Sequence, residues 1–248
     1  MKPRNIVILT GAGVSAESGV PTFRGPDGLW EGHHIEDVAT PQAFRRDPLL
    51  VQRFYDARRA ALGKVVPNAA HRALARLDAG WRGELLLVTQ NVDDLHERGG
   101  SQRLLHMHGE LQRALCTACG TAPAWTGALS DDPPCPRCGA ARLRPDIVWF
   151  GEMPYHMDEI EMAIGRCDLF VSIGTSGAVY PAAGFVTQAQ RAGARTLEIN
   201  LDPSAGTPLF DEARHGPAGT LVPKWVDEML GQRPPLPLAG EGPTPPPA

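Results

Sequence analysis

Short runs of aliphatic and β-branched residues recur along the chain, and they are apolar at successive positions rather than at every second one. This pattern is typical of strands that are buried on both faces of a parallel sheet. Helix-like stretches at 68–78, 157–165 and 181–192 separate several of these runs. The alternation predicts an α/β fold with a Rossmann-like, doubly wound parallel sheet that binds ligands at the carboxyl ends of its strands. We expect strands at 5–9, 84–88, 103–106, 146–149, 169–173 and 196–199.

Two segments, 25–67 and 112–144, interrupt this alternation. We interpret both as parts of a smaller module that packs beside the sheet and leaves a cleft. The first segment is the helical part and includes a helix over 47–62, and the second contains four of the five cysteines. The Rossmann-like domain then comprises 1–24, 68–111 and 145–232. Residues 233–248 hold seven of the 24 prolines and almost no large apolar group, which predicts a disordered tail.

The balance of charge excludes some classes of partner. The chain has 248 residues with 24 basic and 28 acidic side chains, a net charge of −4 with neutral histidines. This balance offers no general nucleic-acid surface, and no apolar run approaches the roughly 20 residues of a membrane span. The apolar run at 6–9 is too short for the core of a signal peptide. We therefore expect a cytoplasmic monomer without nucleic-acid or membrane partners.

Four cysteines form two close pairs with the spacing of a zinc ribbon. Each Cys-x-x-Cys supplies two thiolates to a tetrahedral ion, and Gly120 and Gly139 permit tight turns behind the pairs. Four thiolates leave no position for a catalytic water, so the zinc ion is expected to be structural. A redox-active dithiol is the weaker alternative, because that motif usually occurs once beside a strand–helix unit. The predicted ligands are Cys116, Cys119, Cys135 and Cys138, and Cys167 is expected to be a buried thiol.

A glycine-rich loop follows the first predicted strand. Gly11, Gly13 and Ala16 fit Gly-x-Gly-x-x-Ala, the small-residue form of the dinucleotide-binding fingerprint. Without β-carbons the loop can lie against a pyrophosphate, and a helix that begins near Ser15 would present its N-terminus to that anion. An ordinary dehydrogenase would show a second strand ending in Asp or Glu about 20 residues later. Here the next predicted strand begins only at residue 84, which argues against hydride transfer.

Polar residues follow the next two predicted strands. Asn91 and Asp93 lie beyond the strand at 84–88, where they can hydrogen-bond a carboxamide and ribose hydroxyls, although the same residue types also cap helices. His106 and His108 come at the end of the strand at 103–106. A histidine in that place is suited to act as a general base near neutral pH. Because period-two geometry puts both on the same side of an extended chain, their spacing does not choose between them.

Taken together and in this order, these motifs resemble those of the sirtuins. Sirtuins are NAD-dependent protein lysine deacylases with a Rossmann-like domain and a smaller zinc-bearing module. The resemblance covers roughly residues 5–230, and segments 144–154 and 179–185 are similar to the bacterial CobB type. It is carried by 11–15 with Phe23 and Arg24, by 89–93, by 108–110, by the four cysteines and by 174–176.

The resemblance implies a reaction in which the acyl oxygen of a modified lysine attacks the nicotinamide ribose carbon of NAD, and nicotinamide leaves. Water finishes the reaction, so that the products are free lysine, nicotinamide and O-acyl-ADP-ribose. It implies that His108 takes a proton from a ribose hydroxyl, that Asn91 and Asp93 are also catalytic, and that Phe23 shields the sugar. A peptide would add as a strand between 151–152 and 177–179. The implied NAD-binding residues are Gly11, Ala12, Gly13, Ala16, Phe23, Arg24, Trp30, Gln90, Asn91, Val92, Asp93, Gly174, Thr175, Ser176, Asn200, Leu201, Asp202 and Ala218, and the implied substrate-binding residues are Tyr55, Arg58, Val148, Gly151, Glu152, Gly177 and Val179.

One helix face indicates which acyl groups are removed. Tyr55 and Arg58 are three positions apart in the predicted helix 47–62, so a phenol and a guanidinium lie side by side and suit a carboxylate. From the residues alone this is an ordinary helix surface with a half-buried tyrosine. At this place, however, Tyr-x-x-Arg resembles the mark of class III sirtuins, which implies removal of succinyl and malonyl groups as well as acetyl. Two other functions remain open: a mono-ADP-ribosyltransferase, and a non-catalytic adaptor that binds NAD or zinc.

Overall fold

The computed structural model describes residues 3–22 and 32–231, and this part of the chain contains eight strands and eight α-helices. The strands are β1 (Ile6–Thr10), β2 (Leu85–Thr89), β3 (Leu104–His106), β4 (Gly109–Cys116), β5 (Leu143–Ile147), β6 (Leu169–Ile173), β7 (Arg195–Asn200) and β8 (Glu212–His215). The helices are α1 (Ile35–Val38), α2 (Pro41–Arg46), α3 (Pro48–Leu62), α4 (Ala69–Gly80), α5 (Leu95–Gly99), α6 (Met157–Ile164), α7 (Phe185–Arg191) and α8 (Ala218–Leu230).

Six strands form one parallel sheet in the order β3-β2-β1-β6-β7-β8. The central strand β1 pairs with two neighbours, so that Ile6 lies opposite Leu85 on one side and Leu169 on the other. From β1 the chain continues to β2 and β3 on one side of the sheet and only later returns to β6 on the other. The strand order therefore reverses between β1 and β6. Such a switch point opens a crevice at the carboxyl ends of the strands, where α/β proteins bind their ligands.

Helices cover both faces of the sheet, as the apolar runs predict. On one face α4 and α8 pack against Ile8 and Val171, and on the other α6 and α7 pack against Val7 and Phe170. Successive residues of a strand point to opposite faces, and all five positions of β1 are buried. The predicted α/β fold with a doubly wound sheet is confirmed.

The smaller module consists of α1, α2, α3, the strands β4 and β5, and the cysteine segment between these strands. Its core contains Phe54, Tyr55 and Trp149. The prediction that 146–149 forms a strand of the parallel sheet was wrong, because β5 pairs with β4 in an antiparallel two-stranded sheet. A short apolar run has the same composition whether it is buried between two strands or against a helix. The domain boundaries placed after 111 and 144 fall inside β4 and β5 and stay predictions.

The other five predicted strands differ from β1, β2, β3, β6 and β7 by no more than one residue at either end. The strand β8 and the helix α8 escaped prediction: β8 is a partly exposed edge strand without an apolar run, and α8 contains Pro223. Cys167 is a buried thiol, as expected. Within the described ranges no helix is both long and apolar enough to cross a membrane.

The segment after β1 differs from its prediction. Two single 3-10 turns, Ala12–Val14 and Ala16–Ser18, stand where a helix was expected to begin near Ser15, so that expectation was wrong. Gly19 follows in a left-handed conformation and ends the second turn. Three predicted site residues and the predicted tail lie outside the described residues: Phe23, Arg24, Trp30 and 233–248.

Candidate active site

A cavity of about 900 Å³ lies between the carboxyl edge of the sheet and the smaller module. The loops after β1, β2, β6 and β7 line one side, and α3 with the segment after β5 lines the other. Of the predicted NAD- and substrate-binding residues that the structure describes, only Gly177 does not line it. Those that do are Gly11, Ala12, Gly13, Ala16, Tyr55, Arg58, Gln90, Asn91, Val92, Asp93, His108, Val148, Gly151, Glu152, Gly174, Thr175, Ser176, Val179, Asn200, Leu201, Asp202 and Ala218.

The loops after β1 and β6 are in backbone contact at the switch point. A β-carbon on Gly13 would lie 2.7 Å from the Cα of Gly174, and one on Gly11 would lie 2.8 Å from the Gly174 carbonyl oxygen. The amides of Gly11 and Gly13 donate to the carbonyls of Ile173 and Gly174. Glycine is therefore required at both positions by the close approach of two loops. Both of these amides are used in hydrogen bonds between the two loops.

Two side chains connect the loops at the far end of the cavity. The Asn200 Nδ2 donates to the carbonyl of Thr175 at 2.8 Å, which joins the loop after β7 to the loop after β6. The carboxylate of Glu17 accepts a hydrogen bond of 2.7 Å from the amide of Gly219 in the first turn of α8. An acidic group near a helix N-terminus is stabilised by the unpaired amides there. Glu17 also lines the cavity, and sequence reasoning missed it.

A buried polar network stands behind the loop after β2. The Asn91 Nδ2 donates to the Ser15 hydroxyl at 3.0 Å, and the same hydroxyl lies 3.3 Å from His71 Nε2. Asp93 is buried, which raises its pKa, and it accepts from the amide of Leu95 at the start of α5. The N-cap of α5 is Asp94, whose side chain makes no capping bond, so neither Asn91 nor Asp93 is the N-cap. Ser15 and His71 were missed as site residues, because only the fold brings the start of α4 beside the loop after β1.

The two histidines of the motif occupy different environments. His108 lines the cavity, and its Nδ1 donates to the carbonyl of Gln90 at 3.1 Å. His106 instead lies with its Nδ1 3.0 Å from the carbonyl of Asn91 and its Nε2 2.6 Å from the carboxylate of Glu97. The strand β3 ends at His106, and the chain turns before β4 begins. Strand alternation therefore does not apply to this pair, and the expectation that both face one side was wrong.

The protonation of His108 is set by its surroundings. Burial lowers its pKa below the ordinary value of histidine, and the bond to Gln90 opposes this only in part. Because a carbonyl accepts from Nδ1, that nitrogen carries the proton of the neutral ring. The Nε2 is then the nitrogen that can take up a proton. His108 is thus a neutral base in the cavity wall.

Tyr55 and Arg58 lie together on α3 at the opposite end of the cavity. The hydroxyl of Tyr55 accepts a hydrogen bond of 3.1 Å from the indole Nε1 of Trp149, and burial raises the pKa of this phenol above its ordinary value. The guanidinium carbon of Arg58 lies 3.1 Å from the centre of the Phe54 ring. An arginine held over an aromatic face keeps its planar group in a fixed orientation.

Apolar side chains form the wall beside this pair, and they were not predicted as site residues. One of them could have been predicted from the sequence, because Leu62 follows Arg58 by four positions in α3 and shares its helix face. The others come from separate parts of the chain. These wall residues are Leu62, Val65, Leu111, Ile147 and Trp149.

Other side chains of α3, next to Tyr55 and Arg58, anchor the helix to the cysteine segment. The carboxylate of Asp56 accepts hydrogen bonds of 2.9 Å from the amides of both Leu129 and Ser130. The buried guanidinium of Arg59 donates to Asp56 at 2.6 Å and to the carbonyl of Leu111 at 2.7 Å. The helix therefore lines the cavity through Tyr55 and Arg58 and holds the cysteine segment through Asp56.

The four cysteines form a site that fits a zinc ion. Their sulfur atoms all lie within 4.8 Å of one another, and the Sγ distances are 3.7 Å for Cys116–Cys138 and 3.9 Å for Cys119–Cys135. Tetrahedral zinc with bonds of about 2.3 Å requires sulfur atoms about 3.8 Å apart. Gly120 has φ 72° and Gly139 has φ 75°, as the predicted turns behind each pair require. The site is a structural zinc centre, with no ligand position left for a reacting water.

The residues predicted to hold a peptide lie at the cavity mouth, with one exception. The carboxylate of Glu152 accepts hydrogen bonds of 2.8 Å from both terminal nitrogens of Arg144 and one of 2.9 Å from the amide of Trp149. This side chain therefore holds the turn in place, and the Glu152 amide takes part in the same turn by donating to the Trp149 carbonyl at 2.9 Å. Gly177 packs against the loop after β7, where a β-carbon would lie 2.6 Å from the Gly206 nitrogen. It does not line the large cavity.

Comparisons with known proteins agree with this architecture. Residues 11–181 match the model of the Sir2 family. An NAD-dependent protein deacylase of Bdellovibrio bacteriovorus is 58% identical over 230 residues, which are 92% of this chain and 97% of that protein. The NAD-dependent protein deacylase SIR2rp3 of Leishmania major is 56% identical over 233 residues, which are 92% of this chain and 96% of that protein.

Solved structures show the same arrangement. A complex of a Sir2 homologue with NAD is 41% identical and has a TM-score of 0.84 over 92% of this chain and 90% of that chain. The structure of Sir2Af2 bound to a myristoylated histone peptide is 33% identical, with a TM-score of 0.71 over 92% of each chain. The fold is thus shared with these proteins over most of the chain, and the chain belongs to the Sir2 family, the sirtuins.

Proposed function

We propose that this sirtuin is an NAD-dependent protein lysine deacylase that removes succinyl and malonyl groups as well as acetyl groups from lysine side chains. Its curated relatives bear the name NAD-dependent protein deacylase. The observation that carries the proposal is that a single cavity joins the nucleotide-binding loops, the half-buried His108 and the Tyr55–Arg58 pair. A reaction centre beside His108 then has NAD on one side and the acyl chain on the other.

The described loops fit NAD as a co-substrate. The loops after β1 and β6 meet without β-carbons at Gly11, Gly13 and Gly174, which leaves a backbone-lined floor at the switch point. Residues 174–176 would contact the phosphates and a ribose, residues 200–202 with Ala218 would contact the adenosine, and residues 90–93 would hold the nicotinamide riboside. When bound, NAD supplies the electrophilic ribose carbon and the leaving nicotinamide.

His108 is the residue that we assign as general base. A base that removes a proton from a hydroxyl must be unprotonated at the working pH, and burial keeps this histidine neutral. The carbonyl of Gln90 fixes the ring by accepting from Nδ1. Since Gln90 belongs to the loop assigned to the nicotinamide riboside, the base and the ribose are positioned by the same short segment.

Tyr55 and Arg58 are assigned to the terminal carboxylate of a succinyl or malonyl group. A guanidinium and a phenol can bind both oxygens of a carboxylate, and a planar guanidinium is suited to bidentate pairing. The wall beside them, formed by Leu62, Val65 and Leu111, is apolar. It suits the methylene part of the acyl chain and the methyl of an acetyl group.

The acylated peptide is assigned to the cavity mouth, with its main chain between 151–152 and 177–179. Val148 and Val179 line the cavity there and would flank the lysine side chain. Recognition through main-chain hydrogen bonds tolerates different sequences. Gly177 is assigned to the peptide through its backbone alone, because its Cα packs against the loop at Gly206.

The test compares succinyl, malonyl and acetyl forms of one peptide with the protein and its Arg58→Met variant. We expect kcat/KM for succinyl and malonyl peptides to fall about 5- to 150-fold more than kcat/KM for the acetyl peptide, as for a loss of about 1–3 kcal/mol of carboxylate binding. Arg53→Met is the matched control, because Arg53 is an exposed arginine of the same helix. Equal losses on all three peptides contradict the assignment of Arg58.

The same assay separates this function from two others. Nicotinamide release together with deacylation supports the proposal. Deacylation and repeated turnover should be lost in His108→Asn, because the ribose hydroxyl then has no base. Release of nicotinamide without deacylation, accompanied by ADP-ribose on an acceptor protein, indicates mono-ADP-ribosyl transfer. A protein that binds NAD and releases no nicotinamide is an adaptor. The cytoplasmic location, the monomeric state and the lack of nucleic-acid partners stay predictions.

A further inference from the structure

Outside the cavity and the cysteine centre, three side chains from three elements converge on one point. They are Glu97 of α5, His106 at the end of β3 and Glu110 near the start of β4. One ligand atom from each lies within 4.8 Å of the other two. In the described part of the chain this group and the cysteine quartet are the two clusters with metal-ligand geometry. The cavity lining includes none of these three residues.

We propose that Glu97, His106 and Glu110 form a second metal site, which binds a divalent cation of the zinc and cobalt type through one imidazole nitrogen and two carboxylates. Imidazole and carboxylate ligands together suit these cations. Three protein ligands leave coordination positions for water, and the two carboxylates are partly exposed. The proposed site is independent of the deacylase activity, so either proposal can fail without the other.

The hydrogen bonding of His106 favours a cation at this point. The Nδ1 of the ring lies 3.0 Å from the carbonyl of Asn91, and the Nε2 lies 2.6 Å from a carboxylate oxygen of Glu97. Both neighbours accept hydrogen bonds and neither can donate one. A neutral ring carries one proton and can satisfy only one of them. A second proton therefore stands between Nε2 and Glu97, which makes the two side chains an ion pair. A cation that binds Nε2 displaces this proton to water.

The carbonyl of Asn91 supplies the outer support that metal-ligating histidines usually have. A histidine ligand donates its other ring N–H to a carbonyl or carboxylate, which fixes the tautomer and the ring orientation. Here Nδ1 is in that position and Nε2 is directed at Glu97. The residue that supplies the carbonyl also lines the nucleotide cavity, so the proposed site is tied to the loop assigned to NAD.

One cationic group competes for Glu110. The Nε of Arg113 lies 3.7 Å from its carboxylate. Arg113 has other partners, since its Nε lies 3.5 Å from Asp146 and one terminal nitrogen donates to the carbonyl of Ala122 at 2.6 Å. Glu110 can therefore turn to a metal ion without leaving the guanidinium unpaired.

In the test, cobalt(II) chloride is titrated into the full-length protein, whose cysteine centre is first filled with zinc. Cobalt bound by nitrogen and oxygen ligands gives visible d–d absorption without the near-ultraviolet charge-transfer band of a thiolate. We expect one equivalent to bind with this spectrum. Glu97→Gln and Glu110→Gln should each weaken binding at least about tenfold, the lower bound for disturbing a metal site. Both substitutions keep the side-chain shape, and circular dichroism checks that the variants fold.

Glu161→Gln is the matched control, because Glu161 is an exposed glutamate of α6 remote from this cluster. It should bind cobalt as the unaltered protein does. The proposal is overturned if no cobalt binds beyond the cysteine centre, or if the bound cobalt shows thiolate charge transfer. It is also overturned if the folded Glu97→Gln and Glu110→Gln variants bind cobalt with unchanged affinity.

Discussion

The indole Nε1 of Trp149 donates a hydrogen bond to the hydroxyl of Tyr55, and the two atoms are 3.1 Å apart. The two residues are 94 positions apart in the chain. Both belong to the core of the smaller module and both line the cavity. Because the indole donates, the phenol oxygen accepts this bond. The end of the cavity at Tyr55 is therefore held by a contact between α3 and the segment after β5.

Trp149→Phe is expected to change acyl selectivity. The substitution keeps an aromatic ring but removes the donor, so the phenol of Tyr55 loses the bond that orients it. We expect a loss of about 1–2 kcal/mol in the free energy of unfolding and a larger fall in kcat/KM for succinyl than for acetyl peptide. Trp225→Phe is the control, since Trp225 is buried in α8. It should lower stability and leave the ratio of the two rates unchanged, and an equal ratio in both variants would refute the prediction.

Asp56→Ala is expected to destabilise the smaller module. The substitution leaves the buried Arg59 without its carboxylate and the amides of Leu129 and Ser130 without their acceptor. Removing one partner of a buried ion pair costs about 3–5 kcal/mol. Urea denaturation measures the free energy of unfolding.

The matched control for Asp56→Ala is Asp37→Ala. Asp37 pairs with Arg46, and both side chains are about half exposed. An exposed pair contributes at most about 1 kcal/mol, so the control should change stability little. Comparable losses in the two variants would show that the bonds of Asp56 to the cysteine segment contribute no more than a surface ion pair.

Removal of the zinc ion is expected to abolish deacylation before it abolishes NAD binding. Without the metal, the cysteine segment loses its fold, and α3 loses the anchor that Asp56 and Arg59 make. The nucleotide loops belong to the sheet and keep their packing. Calorimetry with NAD and a peptide assay after chelation measure the two properties. Cys167→Ser is the control and should retain the zinc, and full activity of the zinc-free protein would contradict the prediction.

Stability is expected to fall in mild acid because of two buried histidines. Burial, with a smaller effect of Arg72, lowers the pKa of His71 to about 4, and burial also lowers the pKa of His96. In the unfolded chain each takes up a proton near pH 6.5. Below about pH 6.5 the unfolded state therefore binds more protons than the folded state, and stability decreases as the pH falls towards about 4. At about pH 5 the loss from His71 is about 2 kcal/mol.

Urea denaturation at neutral pH and at about pH 5 measures this dependence. His71→Gln should show a smaller loss between the two conditions than the unaltered protein. His156→Gln, which changes an exposed histidine, should keep the full loss. The explanation fails if His71→Gln retains the original pH dependence.

Gly13→Ala is expected to disrupt the switch point. Its β-carbon would lie 2.7 Å from the Cα of Gly174, a backbone atom that cannot rotate away. The two loops must separate, which costs about 1–3 kcal/mol and weakens NAD binding in calorimetry. Gly63→Ala is the control, because Gly63 has φ −65° and its nearest neighbour would be 3.8 Å away. Unchanged NAD affinity in Gly13→Ala would show that the loops can part without loss.

The sequence by itself determined the features that depend on neighbours along the chain. The apolar runs at 6–9 and 169–173 are buried on both sides, so each predicts a strand without knowledge of its partner. The two Cys-x-x-Cys pairs place their thiolates through local turns at Gly120 and Gly139. The spacing of Tyr55 and Arg58 places them together because a helix repeats every few residues.

The tertiary structure decided what depends on residues far apart in the chain. The run at 147–149 is apolar, but only the pairing of β5 with β4 and packing against α3 put it in the smaller module. His106 and His108 look equivalent in the sequence. The turn between β3 and β4 places His106 against Glu97 and His108 in the lining of the cavity. Gly13 is needed because the loop after β6 touches it. Local patterns encode burial and turns, whereas the identity of the buried partner depends on the path of the whole chain.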